Sequence, residues 1–538
     1  MNLRVQDLKK GNEWQEKGYE LPKFDLREMK KLTSQDPIWL HFGAGNIFRA
    51  LPAALHQTLL DNGLCNSGII VCEAFDEEII RKIYDPYDNL SVVVSIKSDG
   101  SMQKKVIGSI ADALTASDNI DRLTKIFTSP SLQMVSFTIT EKGYSLAGSN
   151  GEYFPQVLRE LENFPSAPKT IMGLVAMLCY KRYQAGRLPI ALVSMDNFFH
   201  NGDKLYEAIN TFATNWAKNS LIDPGFVDYI NDPKLVTFPW SMIDKITPRP
   251  SETIKALLVS DGLKDMEIIC TSKNTYIAPF VNTEHVQYLV IEDTFPNSRP
   301  PLEKAGVIFT DRDTVDKVER MKVCTCLNPL HSMLAIFGCL LGYKAIFEEM
   351  RDSDLKSLIE RAGYDEMLPV AINPGIIDPK QFMREVIEER LPNPFVPDTP
   401  QRIACDTSQK IPIRFGETLK AHISKGHDIT ALTYIPLFFA GWLRYLIGID
   451  DKGEAFELSP DPMVPELHEK MKHISIGDKG PFDDILRPIL SNKSIFGIDL
   501  CEHGLAPKIE GMFEEMLTAP GAVRRTLNKY VNMEVDMS

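Results

Sequence analysis

At 538 residues the chain is longer than one ordinary core can organise, so two substantial domains are expected. Hydrophobic residues at 44% and charged residues at 25% supply each domain with an interior. The formal net charge of -14 argues against a dedicated nucleic-acid surface, though it leaves room for a local basic pocket. Nine cysteines without a CxxC pair form neither a disulfide nor a zinc framework, which fits thiols in a reducing, cytoplasmic compartment.

The N-terminal MNLRVQDLKKGNEWQEKGYELP is polar and lacks the apolar stretch of a signal peptide. DPIWLHFGAGNIFRALPAALHQTLLDNG then reads strand, glycine turn, helix. Ile38 to Phe42 form the apolar run, and Ala50, Leu51, Ala54, Leu55 and Leu59 recur at helical spacing. In the turn, Gly43 allows the tight bend and Gly45 lets a pyrophosphate approach the backbone at a helix N-terminus. Phe48 stands where the usual third glycine would be. Arg49 follows it, with phosphate pairing and a solvent salt bridge as its two readings. The alternative for the whole segment is a plain strand-to-helix turn. SGIIVCEAF supplies a second strand, and Glu73 and Asp76 at its end are the acidic candidates for an adenosine ribose, favouring NAD over NADP. Helix capping is the other reading of either acid. LSVVVSI from Leu90, LQMVSFTIT from Leu132 and PIALVSMDN from Pro189 read as further strands. Alternating with helical stretches, they predict an α/β fold with a Rossmann-like, doubly wound parallel sheet.

The proline-rich EDTFPNSRPPLEKAG marks the boundary, giving residues 1–300 as a dinucleotide-binding domain and 301–538 as a mostly helical domain. Such a pair leaves a cleft at the junction, where ligands commonly sit. The most hydrophobic segment, Leu432 to Ile449, is interrupted by Pro436 and Arg444 and reads as a buried helix rather than a membrane span.

VERMKVCTCLNPLHSM gathers Glu319, Lys322, Asn328 and His331. Asn328 before Pro329 reads as an N-cap, which puts His331 in the first turn of an apolar helix. A capping Asn and a satisfied core His are the bland reading. The functional one has both facing the cleft, with Lys322 arriving from the preceding segment. Lys322 and His331 would lie on opposite faces of one ideal helix, so their convergence needs the helix to begin after Lys322. A lysine can serve as a general base if burial lowers its pKa from about 10.4 toward about 7–8. Arg402 and Lys410 (in DTSQKIP), Asn197 (in SMDN) and Asp244 (in FPWSMIDKITPRP) are each ambiguous alone. No HExxH, GxSxG, Walker A or spaced Cys/His cluster occurs, so no metal site is expected.

In order, FGAGNIFRA, SFTITEKGYSL, SMDN, FPWSMIDKITP, RPPLEKAGV, ERMK with LNPLHSMLAIFG, DTSQKIP and GWLRYL resemble the polyol-specific long-chain dehydrogenase/reductase (mannitol dehydrogenase) family, over nearly the whole chain after the leader. The resemblance implies metal-independent, NAD-dependent interconversion of a secondary alcohol and a ketose-type carbonyl on a small sugar acid or polyol, with no nucleic-acid or membrane partner. It makes Lys322 the general base, with Asn197, Asn328 and His331 beside it. Arg402, Lys410 and Asp244 fall on substrate-contacting positions and Glu319 on one linked to proton exit. Gly43, Gly45, Asn46, Phe48, Arg49, Glu73, Asp76 and Thr140 form the cofactor side. Two departures stand out: six residues instead of the usual five from Lys322 to Asn328, and Pro329 in place of glycine. The added residue is expected in the Val323–Leu327 lead-in. Within the family the first expectation is a hexuronate keto acid, fructuronate to mannonate, its carboxylate offset by Arg402, Lys410 and Arg249. Tagaturonate to altronate and mannitol–fructose interconversion are the alternatives. A non-catalytic NAD-binding sensor is the reading from another class.

Overall fold

Six short apolar strands pair in parallel in the first half of the chain: β1 (Trp39–Phe42), β2 (Ile69–Glu73), β3 (Ile110–Thr115), β4 (Met134–Phe137), β5 (Ile190–Ser194) and β6 (Val236–Thr237). Their order is β3-β2-β1-β4-β5-β6. All residues of β1, β2, β4 and β5 are buried, as expected of a sheet covered on both faces. Alternate residues feed two separate cores. Leu40, Phe42, Ile70, Cys72, Val135 and Phe137 face one, while Trp39, Ile69, Val71 and Met134 face the other. The strand order reverses between β1 and β4, and the crevice beyond their carboxyl ends is where doubly wound sheets bind ligands.

This is a computed structural model that describes residues 1–148, 150–395 and 398–533. The chain divides into two compact units, Met1–Asp316 and Lys317–Ser538. The division falls beyond the proline-rich segment because Ile308–Thr310 turns back to pair with Tyr288–Glu292, which also holds Ser241–Asp244.

Two local expectations change. LSVVVSI is a strand (Ser91–Ile96), but it belongs to a separate four-stranded sheet, antiparallel to Met102–Ile107 and parallel to Phe280–Glu284. A turn closed by Gly100 N–H to the Lys97 carbonyl sends it straight back, and β3 takes the expected place beside β2. The helix after the glycine turn is broken into α1 (Asn46–Ala50) and α2 (Pro52–Asp61). Leu51, with φ -124° and ψ -73°, precedes a proline, a position where α geometry is disfavoured. The polar leader packs: Leu3, Trp14 and Tyr19 are buried, and Tyr19–Glu20 adds a strand to the second sheet.

The second unit is helical. α3 (Arg312–Arg320) begins in the first unit and leads into it, and α4 (Asn328–Leu341) and α5 (Tyr434–Tyr445) are its most apolar elements. Every residue of α5 is buried, and Arg444 donates to the Ile449 and Asp450 carbonyls at its C-terminal end. The Arg312–Leu341 run is long and apolar enough to cross a membrane by length and composition, yet 83% of its apolar window is buried in the protein.

Candidate active site

In the first unit the site begins at the β1–α1 turn. Gly43 has φ +104°, and a Cβ there would lie 2.2 Å from the Thr138 carbonyl oxygen at the end of β4. Only glycine fits. Gly45 has an extended backbone, and a Cβ on it would meet nothing within 4 Å. That open space at the start of α1 is the cradle a pyrophosphate requires. Glu73, at the end of β2, accepts from the Ala44, Ala74, Phe75 and Asp76 N–H groups and so fixes both loops. Burial still raises its pKa above the usual carboxylate value. Asp76 accepts from the Thr271 hydroxyl at 2.6 Å through one oxygen, while its buried Oδ1 has no donor. Its side chain therefore caps no helix, and its second oxygen is an acceptor left without a donor among the described residues. Beside it, Phe75 is 73% exposed and contributes with Ala74, Lys142, Leu146, Phe154 and Lys169 to a cavity of about 230 Å³. The residues present fit a dinucleotide.

Three side chains expected at the cofactor have other work. Phe48 is fully buried and stacks on His41 at 4.3 Å. Arg49 is equally buried, so it makes neither a phosphate contact nor a solvent salt bridge. It donates to the Ser91 hydroxyl and the Ala278 carbonyl, tying α1 to the second sheet. Asn46 accepts from Arg49 at 2.7 Å through its side chain and reaches the Pro248 carbonyl at 3.4 Å. Beneath them His41 bridges the Ser136 and Thr138 hydroxyls at 2.6 and 2.8 Å, with burial pushing its pKa down to about 3.

Thr140 lies just past β4 in a left-handed conformation, φ +64°. Asp196, after β5, holds it there: its carboxylate accepts from the Ile139 and Thr140 N–H groups and from the Tyr144 hydroxyl. Asn197 is the next residue, so its backbone is placed by this anchor. Asp244 ends the strand Ser241–Asp244 and is buried.

In the second unit Glu319 and Lys322 are both buried, at 4% and 1% exposure. Lys322 does not sit outside a helix. α3 continues into a π-type turn, Met321–Cys326, in which Leu327 N–H donates to the Lys322 carbonyl five residues back. The helical run breaks at Leu327, which takes the N-cap place given to Asn328; Asn328 and Pro329 are the first helical residues of α4. A π turn is one residue wider than an α turn, so it accommodates the extra residue between Lys322 and Asn328.

Around the start of α4 the side chains are mostly cationic. His331 Nε2 lies 3.5 Å from Asp398 Oδ2, too far for a hydrogen bond, and that nitrogen is buried without a partner. Burial drives the His331 pKa down to about 4; Asp398 opposes this, and Arg414, Arg402 and Arg390 reinforce it. Arg402 is exposed, and its Nε and NH2 grip Asp398 at 2.7 and 2.6 Å. Lys410 donates to the Ile403 and Cys405 carbonyls, and burial lowers its pKa. Arg249 lies in the first unit, over the Tyr276 ring at 4.5 Å. Among the described residues no three His, Cys, Asp or Glu side chains are grouped to hold a metal ion.

Profiles described as the mannitol dehydrogenase Rossmann domain and the mannitol dehydrogenase C-terminal domain match residues 37–304 and 314–517. The chain belongs to the mannitol dehydrogenase family. It is 53% identical to a D-mannonate oxidoreductase of Thermotoga maritima over 99% of this chain and 100% of that one. It is 30% identical to a mannitol 2-dehydrogenase of Aspergillus fumigatus, over 92% and 93% of the two chains. Among solved structures it resembles a substrate-free D-sorbitol dehydrogenase (TM-score 0.79, 26% identity, 94% and 97% covered). It also resembles Pseudomonas fluorescens mannitol 2-dehydrogenase in a ternary complex with NAD and D-mannitol (TM-score 0.70, 27% identity, 99% and 100% covered).

Sequence reasoning did not single out Asp196, Asp398 or Arg414, which the structure sets beside candidate residues. Asp196 was visible in SMDN only as a polar neighbour of Asn197. Asp398 stands one helical turn before Arg402, a spacing that marks an ion pair. Arg414 had no signal; its partners Asn328 and Ser332 are distant in sequence.

Proposed function

We infer that this chain is a cytoplasmic, NAD-dependent oxidoreductase that interconverts fructuronate and mannonate without a metal. The observation that carries the substrate class is the set of cations around His331 (Arg390, Arg402 and Arg414), with Lys410 near Arg402 and Arg414, an environment suited to a sugar acid. The full-length similarity to a D-mannonate oxidoreductase supports the same reading.

NAD, when bound, supplies the hydride acceptor. Lys322 Nζ takes the hydroxyl proton during oxidation and returns it during reduction, with Glu319, one turn earlier, on the proton's exit path. Asn197 and Asn328 donate hydrogen bonds to the developing alkoxide oxygen. His331, neutral at working pH because its pKa is depressed, orients the hydroxyl without adding charge. Asp244, Arg402 and Lys410 hold the remainder of the chain of the substrate, and Gly43, Gly45, Glu73, Asp76 and Thr140 shape the cofactor side. The reading requires Asn197 and Lys322 to meet at one reacting carbon.

The test is NADH oxidation with fructuronate, tagaturonate and fructose, for wild type and Lys322→Ala. Fructuronate is the expected best substrate. Lys322→Ala should lower kcat by about 10²–10⁴-fold, the usual scale of general acid–base catalysis, with NADH affinity retained. Near-normal turnover in that variant, or reduction of fructose alone by the wild type, refutes the reading.

A further inference from the structure

We propose that Arg414 is the residue that recognises the substrate carboxylate and so selects a keto uronate over a neutral ketose; this rests on the function proposed above. Arg414 lies on a π-type turn, Pro412–Gly416, and points its guanidinium at the start of α4. Its NH1 donates to the Asn328 carbonyl at 3.2 Å and to the Ser332 hydroxyl at 2.5 Å. Both acceptors are neutral, and no carboxylate of the described residues pairs with it.

Two other cations of the cluster are differently employed. Arg402 spends its Nε and NH2 on Asp398 in a bidentate pair. Lys410 is held by two carbonyls. Arg414 is a half-buried guanidinium with no counter-ion among the described residues, and desolvation pulls its pKa down to about 10. A charge partly withdrawn from water in that way gains when an anion arrives. Its Nε and NH2 make no hydrogen bond to the described residues, and neither belongs to the sealed, partnerless atoms of the interior. Those two nitrogens form the edge of the guanidinium that receives a carboxylate in a parallel, two-bond pair.

Position ties this free edge to the reaction. The same guanidinium grips the residues flanking His331 and is close enough to lower its pKa. A carboxylate bound there would neutralise Arg414 and register the sugar chain against Asn328. A neutral ketose would leave the charge uncompensated, which is discrimination by an unpaired, half-buried group.

The experiment uses the full-length enzyme with NADH and compares fructuronate with fructose in wild type, Arg414→Gln and Arg414→Lys, with melting temperatures recorded for each. In Arg414→Gln the fructuronate-to-fructose ratio of kcat/KM is expected to fall at least a hundredfold, carried by KM for fructuronate rather than by kcat. Arg414→Lys keeps the charge but not the fork, and is expected to recover part of that ratio. It also tests the idea if the glutamine variant does not fold. Where fructose turnover is too slow to measure, the ratio of inhibition constants for gluconate and sorbitol replaces it. An unchanged ratio, or an equal loss on both substrates, overturns the role of Arg414. A wild type inactive on every uronate overturns the proposed function instead, and the role of Arg414 with it.

Discussion

Replacing Gly43 and Gly45 by alanine, one at a time, separates what the glycine turn does for the fold from what it does for the cofactor. At Gly43 the added methyl lies 2.2 Å from the Thr138 oxygen and 2.8 Å from its carbonyl carbon, both backbone atoms. The positive φ adds about 1–3 kcal/mol of strain, and β4 must move as well. Gly43→Ala should therefore lower the melting temperature of the first unit by at least roughly 2–5 °C. At Gly45 φ is -76° and the methyl meets nothing within 4 Å, so the fold tolerates it. The same methyl occupies the space a pyrophosphate needs. If it costs two charge-assisted hydrogen bonds at about 1.5–3 kcal/mol each, NADH affinity falls by about 10²–10⁴-fold. Calorimetric melting and a fluorescence titration with NADH measure the two quantities. Undiminished NADH binding in Gly45→Ala would refute the assignment of this turn as the phosphate cradle.

Two further perturbations follow from the same geometry. His56 is buried, with its Nε2 donating to the Ser67 carbonyl and burial pushing its pKa from 6.5 down to about 4. Its folded-state pKa is depressed, so the stability of the neutral form is complete above pH 6.5 and lost as pH falls toward 4. One such group contributes about 3 kcal/mol across that window, and His56→Gln should flatten the decline of stability between pH 7 and 4 by that amount. An unchanged slope in urea unfolding would contradict the assignment. Deleting Val323 should convert the π turn to an α turn and restore the usual lysine–asparagine spacing, with fructuronate turnover kept within about tenfold, since a π turn is an α turn widened by one residue. Loss of activity in a variant that melts normally would show that the widened turn itself places Lys322.

The parallel sheet was legible because its continuous apolar runs of four to five residues, bounded by glycine and polar turns, are too short for helices and suit strands buried on both faces. That legibility stopped at sheet membership. LSVVVSI has the composition of a central strand, and nothing within it says that the partner is Met102–Ile107 rather than β2; the deciding turn lies outside the run. The break at Leu51 could have been read from Pro52, whereas helical periodicity carried across it. The polar leader hid its structural role because Leu3, Trp14 and Tyr19 are isolated apolar residues, each filling one place on the first unit.

For the site, sequence order names candidate reacting groups, and the structure gives several of their neighbours other partners, for one physical reason. A short-range motif shows which residues are adjacent along the chain, whereas burial decides which are available. Phe48 and Arg49 follow the glycine turn directly, and both are turned into the interior. Arg402 has the charge a sugar acid calls for, and two of its nitrogens are already paired with Asp398. Lys322 and His331 could not share a face of one ideal helix; a π turn and a break at Leu327 remove the ideal-helix constraint without ending the helix where expected. Arg414, which belongs to no recognised motif, is held by the neutral Asn328 carbonyl and Ser332 hydroxyl and pairs with no carboxylate of the described residues. A substrate anion is the partner that a cation held by neutral acceptors still lacks, so the specificity of the site follows from its missing counter-ion more directly than from the residues its motif names.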